Sequence, residues 1–306
     1  SICMSTWKLA KQGEDHKKTP EGISENPIII GHEFCGEILE VGKNWDRKYM
    51  KGGKYVVQAN LQLPDSPFCP GYSYQNCGGD ATYIILPEDV MKQDCLLPYK
   101  GETYFEGSLI EPLSCVIGAF NANYHLIEGT YDHKMGIKEG GNLLILGGTG
   151  PMGLLAIDYA LHGDKKPKTI VVTDVNKDRL KKASELYKSE EGITVHYVDT
   201  SNIENSEEYL RNLVNGGFDD IFIFAPVAEL VTQGSKLLNN DGCLNFFAGP
   251  QNKDFSAEIN FYDIHYSFTH YVGTSGGNTE DMRTAIRLIE EKKVNVAKVV
   301  THILGL

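Results

Sequence analysis

NLLILGGTGPMG, residues 142–153, is a β-like apolar run that breaks directly into Gly148, Gly150 and Gly153, spaced G-x-G-x-x-G. In that spacing the first glycine allows a tight strand-to-helix turn, the second lets backbone approach a pyrophosphate, and the third lets the helix pack on the strand. Pro151 and Met152 lie between the second and third, at the start of a helix whose free N–H groups and partial positive charge suit phosphate. Glycine-rich turns are common, so the surroundings decide. LLAIDYALHG (154–163) is an amphipathic helical stretch, and TIVVTDVN (169–176) is a second strand with Asp174 at its end, 21 residues beyond Gly153. An aspartate there accepts hydrogen bonds from an adenosine ribose diol and repels a 2′-phosphate, whereas its plain alternative is a strand-end turn residue. The full βαβ context favours a dinucleotide site with Gly148, Gly150, Pro151, Met152, Gly153 and Asp174, taking NAD(H) in preference to NADP(H). Lys177 and Arg179 are the counter-indication.

Working outward, strand and helix alternate through the C-terminal half. Strands are expected at 142–146, 169–173, 193–198, 220–224, 243–247 and 269–273, with helical patterns such as DRLKKASELYK (178–188) and TEDMRTAIRLIEEKK (279–293) between or after them. Near-continuous apolar strands predict an α/β fold built on a doubly wound parallel sheet of the Rossmann type. The N-terminal half differs. PIIIGHEFCGEILEVG (27–42), KYVVQANLQL (54–63) and ATYIILPED (81–89) are β-like runs separated by Gly, Pro and Asn clusters, with little helical periodicity. The expected division is a β-rich domain over 1–120, a dinucleotide-binding domain over 121–290 and a return segment over 291–306. A polar segment around 123–141 joins the halves as a loop or a linking helix, and no internal repeat or low-complexity tract is present.

Composition bounds the function. With 306 residues, two domains are the expectation, and 41% hydrophobic residues suit a globular chain. A net charge of −12 argues against nucleic acid or an anionic membrane as the main partner, so an anionic substrate needs a local basic pocket. No run approaches the roughly 18 apolar residues of a membrane span, and the first residues do not form a signal peptide, so a cytoplasmic location is expected. Seven scattered cysteines, at 3, 35, 69, 77, 95, 115 and 243, point to free thiols or metal ligands rather than a disulfide framework.

Cys3 is followed by Ser5, Thr6 and Lys8; His32 and Glu33 stand in GHE, and Glu111 in LIEPLSC. Thiolate, imidazole and carboxylate together match a catalytic zinc that keeps one coordination position open. Each residue alone reads as a buried thiol, an ordinary turn histidine or a solvated acid. Their joint occurrence beside a dinucleotide domain favours the metal.

The motifs combine C-x-S near the start, GHExxGxxxxVG at 31–42, GGxATY at 78–83, EPL at 111–113 and the glycine fingerprint. This combination resembles the zinc-dependent medium-chain dehydrogenases over nearly the whole chain. Within them it is similar to the polyol dehydrogenases of the sorbitol type, their sorbose-phosphate reductase branch included. The resemblance implies a GroES-like catalytic domain at the N-terminus, incomplete at both chain ends because the relatives place strands before Cys3 and after HILGL. It implies that Cys3 and His32 are zinc ligands, that Glu33 is a third ligand or a close neighbour of the metal, and that Glu111 is a ligand or acts through water. The EPL form suggests a polyol enzyme. Ser5 matches the hydroxyl that relays the substrate proton.

Departures from the pattern are equally informative. The family's structural-zinc lobe carries four closely spaced cysteines, whereas this region offers Cys69 and Cys77, so no structural zinc is expected. Lys8 replaces the histidine that ends the proton relay in many relatives, either as an alternative proton carrier or as an anchor for a substrate phosphate. The interval around 125–138 is longer than in typical sorbitol dehydrogenases and is expected to be a neutral surface insertion.

The expected activity is hydride transfer between NAD(H) and the secondary alcohol or ketone of a polyol or ketose, with one catalytic zinc per chain, in a homo-oligomer. A zinc-free quinone or enone reductase of the same superfamily and a non-catalytic NAD-binding protein are the alternatives. The first would not need Cys3, His32 and Glu111.

Overall fold

The computed structural model describes residues 1–303, in two compact units. One comprises 1–114, 276–292 and 300–303; the other comprises 115–275 and 293–299.

The first unit carries a three-stranded antiparallel sheet of β1 (Cys35–Glu37), β2 (Lys54–Val57) and β3 (Leu96–Pro98), in that spatial order. Its core gathers Leu9, Tyr49, Val57, Leu61, Cys69, Tyr72, Val90 and Leu96. Less of this unit is strand than its β-like runs suggest. Ile28 and Ile30 pack on the core without ladder partners, and the 81–87 stretch forms no strand, leaving Tyr83 and Ile85 exposed. Two helices stand where little helical periodicity is legible: Met4–Gln12, and Ile110–Ala122, whose residues 115–122 belong to the second unit. The first buries little besides Thr6 and Leu9, too narrow a stripe to mark the sequence.

After the Ile110–Ala122 helix comes a hairpin, β4 (Tyr124–Leu126) and β5 (His133–Met135), so the segment around 123–141 is a turn structure and not a helix. Asp220 and the Asp241 carbonyl hold its His125 at 3.2 and 2.8 Å, while Tyr131 at its tip is 89% exposed.

The main sheet follows: β6 (Asn142–Leu146), β7 (Thr169–Asp174), β8 (Thr194–Asp199), β9 (Phe218–Ile223), β10 (Leu238–Phe246) and β11 (His270–Gly273). All neighbours are parallel, in the order β11-β10-β9-β6-β7-β8, so the order reverses at β6. This is the doubly wound arrangement expected from the six apolar runs. All five residues of β6 are buried. Burying each Leu or Ile contributes about 1.5–3 kcal/mol, which exceeds the roughly 1–2 kcal/mol of backbone entropy lost per residue. The central strand therefore forms without help from alternation. Both faces are covered. Leu144, Val171, Ile221 and Leu244 belong to one core, while on β9 Phe222 stacks on Phe120 with ring centroids 4.4 Å apart.

Candidate functional site

The glycine turn follows β6. Gly147, one residue before the fingerprint, takes the left-handed conformation at φ +67°, and a Cβ there would meet the Ala225 side chain. The tight turn therefore belongs to Gly147. Gly148 serves close packing instead, since a Cβ on it would lie 2.5 Å from Ile145 Cγ2 and 2.9 Å from Val172 Cγ1. Gly150 caps the Pro151–His162 helix, and its Cβ position faces open space, as a site of close backbone approach to a phosphate requires. A Cβ on Gly153 would lie 2.3 Å from the Gly148 carbonyl oxygen, so this glycine lets the helix sit against the turn. Pro151 occupies the first helical turn, where its missing N–H costs nothing, and Met152 follows it.

Asp174 ends β7, partly exposed. Its Oδ2 accepts from the Thr149 N–H at 3.3 Å and from the Thr149 hydroxyl, and its Oδ1 accepts from the N–H groups of Val175 and Asn176 at 2.8 and 3.0 Å. These bonds tie the acidic position to the glycine turn. Of the two cations nearby in sequence, Lys177 reaches Asp199 at 3.5 Å, and Arg179 is exposed. A nicotinamide dinucleotide fits this half: an open glycine and a helix start for the pyrophosphate, a carboxylate for the ribose.

The other chemistry-bearing cluster lies within the first unit. Cys3 caps the Met4–Gln12 helix, where its sulfur accepts the Ser5 N–H at 3.3 Å. His32 and Glu33, each 6% exposed, lie in the turn after Gly31. One ligand atom from each of Cys3, His32 and Glu33 falls within 4.8 Å of the others, the one such group among the described residues. Glu111, in the first turn of the Ile110–Ala122 helix, stands outside this group, although its charge reaches Cys3.

Burial, and then the Glu33 carboxylate, push the Cys3 thiol up. Burial also pushes the Glu33 carboxyl up, against hydrogen bonds from Ser1 and Cys3. His32 is pushed down to about 4 by burial and then by Lys18, so it is neutral at physiological pH. Its Nδ1 is buried with no hydrogen-bond partner among the described residues. A neutral imidazole beside two desolvated would-be anions is a donor set that a divalent cation suits, and zinc takes these ligand types.

Tyr72 carried no signal in the sequence, since it stands 40 positions from His32. Its hydroxyl lies 3.3 Å from His32 Nε2 and is hydrogen-bonded to the Ser5 side chain. Gly71 makes that approach possible: its φ is +76°, and a Cβ on it would lie 2.1 Å from the Gly31 carbonyl oxygen. Lys8 is half-buried on the same helix as Ser5, one turn further on. Cys69 and Cys77 are both buried, and burial pushes the Cys77 thiol up to about 12.

The model of the alcohol dehydrogenase GroES-like domain matches residues 1–95, and that of the zinc-binding dehydrogenases matches 151–291. L-sorbose 1-phosphate reductase of Klebsiella pneumoniae is 64% identical over 100% of this chain and 74% of its own length. The chain belongs to the zinc-binding dehydrogenases. Mannitol-1-phosphate 5-dehydrogenase of Aliivibrio fischeri is 47% identical over 100% of this chain and 73% of its own. The fold is shared with 2R,3R-butanediol dehydrogenase from Bacillus subtilis, at a TM-score of 0.72 and 23% identity over 90% of this chain and 73% of that one. As a zinc-binding dehydrogenase the chain is an oxidoreductase that works with zinc and a nicotinamide cofactor, on a GroES-like domain and a doubly wound sheet. No helix among its described residues is long and apolar enough to cross a membrane.

Proposed function

We propose that this dehydrogenase interconverts a phosphorylated ketose and its polyol phosphate, with Cys3, His32 and Glu33 holding the zinc ion and Glu111 joining them directly or through water. The observation that carries the proposal is the half-buried thiol grouped with a buried imidazole and a buried carboxylate, their ligand atoms within 4.8 Å of one another. The substrate class follows the relatives named for sorbose 1-phosphate and mannitol 1-phosphate. When bound, zinc supplies a Lewis acid and the nicotinamide supplies or takes the hydride.

The chain's own residues do the rest. Tyr72 holds the Ser5 hydroxyl beside His32 through its own hydroxyl. Ser5 moves the substrate hydroxyl proton, and Lys8, three residues along the same helix, carries it outward. The open backbone at Gly150 and the helix start at Pro151, Met152 and Gly153 hold the pyrophosphate. Asp174 takes the ribose and favours NAD(H).

A homo-oligomer is part of the same reading, supported by the exposed aromatic side chains of Phe261, Tyr262 and Tyr266 on one short helix. A cytoplasmic location is supported by seven free cysteines.

The test is NADH oxidation with L-sorbose 1-phosphate and with L-sorbose. The proposal expects kcat/KM to be at least about tenfold higher for the phosphorylated sugar, the scale of one charge-assisted hydrogen bond. Equal turnover of the two sugars, or turnover of neither, contradicts it.

A further inference from the structure

An acidic chain that takes a phosphorylated substrate needs a cation close to the reacting atoms. The segment leaving the Met4–Gln12 helix brings one there. Lys18 Nζ lies 4.9 Å from the centroid of the Tyr72 ring, and His16 stacks on that ring at 5.5 Å with 15° between planes. The Tyr72 ring lies 4.8 Å from the His32 ring. One aromatic side chain therefore separates the ammonium from a member of the metal-type cluster.

Local bonds fix the segment. The Lys18 carbonyl accepts the Ser73 hydroxyl at 2.6 Å, and the Lys18 N–H donates to His16 Nδ1 at 3.3 Å. No carboxylate pairs with Lys17 or Lys18 among the described residues, in contrast to Lys48, Lys92 and Lys138, each 2.8 Å from an acid. Lys18 is half-buried, with Lys17 exposed beside it. Its charge is felt at His32, at Cys69 and, with that of Lys17, at His16.

Resting on the reading of the chain as a ketose-phosphate dehydrogenase, we infer that Lys18, flanked by Lys17 and braced on Tyr72, anchors the substrate phosphate. A ketose 1-phosphate carries its phosphate on the carbon next to the carbonyl. A carbonyl held at the Cys3, His32 and Glu33 cluster thus places the phosphate within the near surroundings of that cluster, where Lys18 stands. An ammonium binds phosphate as a point charge from several directions, so it tolerates the rotation of a flexible ester. Lys8 is then left for the proton, and the two lysines have separable roles.

The experiment compares wild type, Lys18→Ala and Lys18→Arg on L-sorbose 1-phosphate and L-sorbose, with competitive inhibition by inorganic phosphate as a second readout. For Lys18→Ala, kcat/KM on the phosphorylated sugar falls about 10- to 100-fold, mainly through KM, and several-fold less on the free sugar. Inhibition by inorganic phosphate weakens in parallel, and Lys18→Arg recovers part of both. NADH binding by fluorescence verifies that each variant is folded. Equal losses on the two sugars, or an unchanged phosphate preference and phosphate inhibition in folded Lys18→Ala, overturn the assignment to Lys18 while leaving the ketose-phosphate reading standing. A wild type without phosphate preference overturns that reading first and the anchor with it.

Discussion

Cys3 and Glu33 are each driven by burial toward the neutral form, and the Glu33 carboxylate makes ionisation of the Cys3 thiol harder still. Held in one largely desolvated group, they are costly as a pair of anions and favourable around a cation. At the opposite end of the chemistry, Asp174 is tied to the glycine turn through Thr149. It predicts a cofactor preference: Asp174→Ser lowers kcat/KM for NADH about tenfold or more, as loss of a charged hydrogen-bond acceptor does, and narrows the ratio of NADH to NADPH. Steady-state kinetics with both cofactors check this, and an unchanged ratio contradicts it. At this scale the residue types at 3, 32 and 33 were legible as a metal-type donor set, and the structure brings them together, whereas Glu111 stands outside the group. Tyr72 and Lys18 were not legible, because their relation to His32 depends on the close approach of Gly71 to Gly31, which no linear spacing encodes.

Among the elements, the inner strands β6, β7 and β9 were legible to within a few residues because they are buried on both faces. The N-terminal runs were equally apolar, yet of 27–42 only Cys35–Glu37 pairs in a ladder. Ile28, Ile30, Phe34, Ile38 and Val41 serve the core from outside that strand, and hydrophobic content cannot separate those two uses. The glycine turn is a smaller case of the same limit. Its fingerprint was legible, whereas the conformational work falls on Gly147, outside the pattern. Gly147→Ala is expected to cost about 1–2 kcal/mol of stability for its left-handed backbone and to weaken NADH binding. Denaturant unfolding at constant m-value reads the first effect and fluorescence titration the second. An unchanged midpoint contradicts the role given to Gly147.

Over the whole molecule, the two chemistries belong to different units: the dinucleotide turn to one, the thiol, imidazole and carboxylate cluster to the other. Family membership makes the chain a zinc-dependent oxidoreductase, and its overall charge of −12 gives the basic HKK segment at 16–18 its meaning as a local exception. The central claim is that Cys3, His32 and Glu33 form the catalytic metal site. Its most direct test is zinc per chain, by elemental analysis, in active wild type and in Cys3→Ser purified alike. The account predicts about one zinc per chain in wild type, as a three-ligand catalytic site binds, and well below that in Cys3→Ser. An active wild type with far less than one zinc, or a Cys3→Ser protein that keeps the wild-type amount, contradicts it.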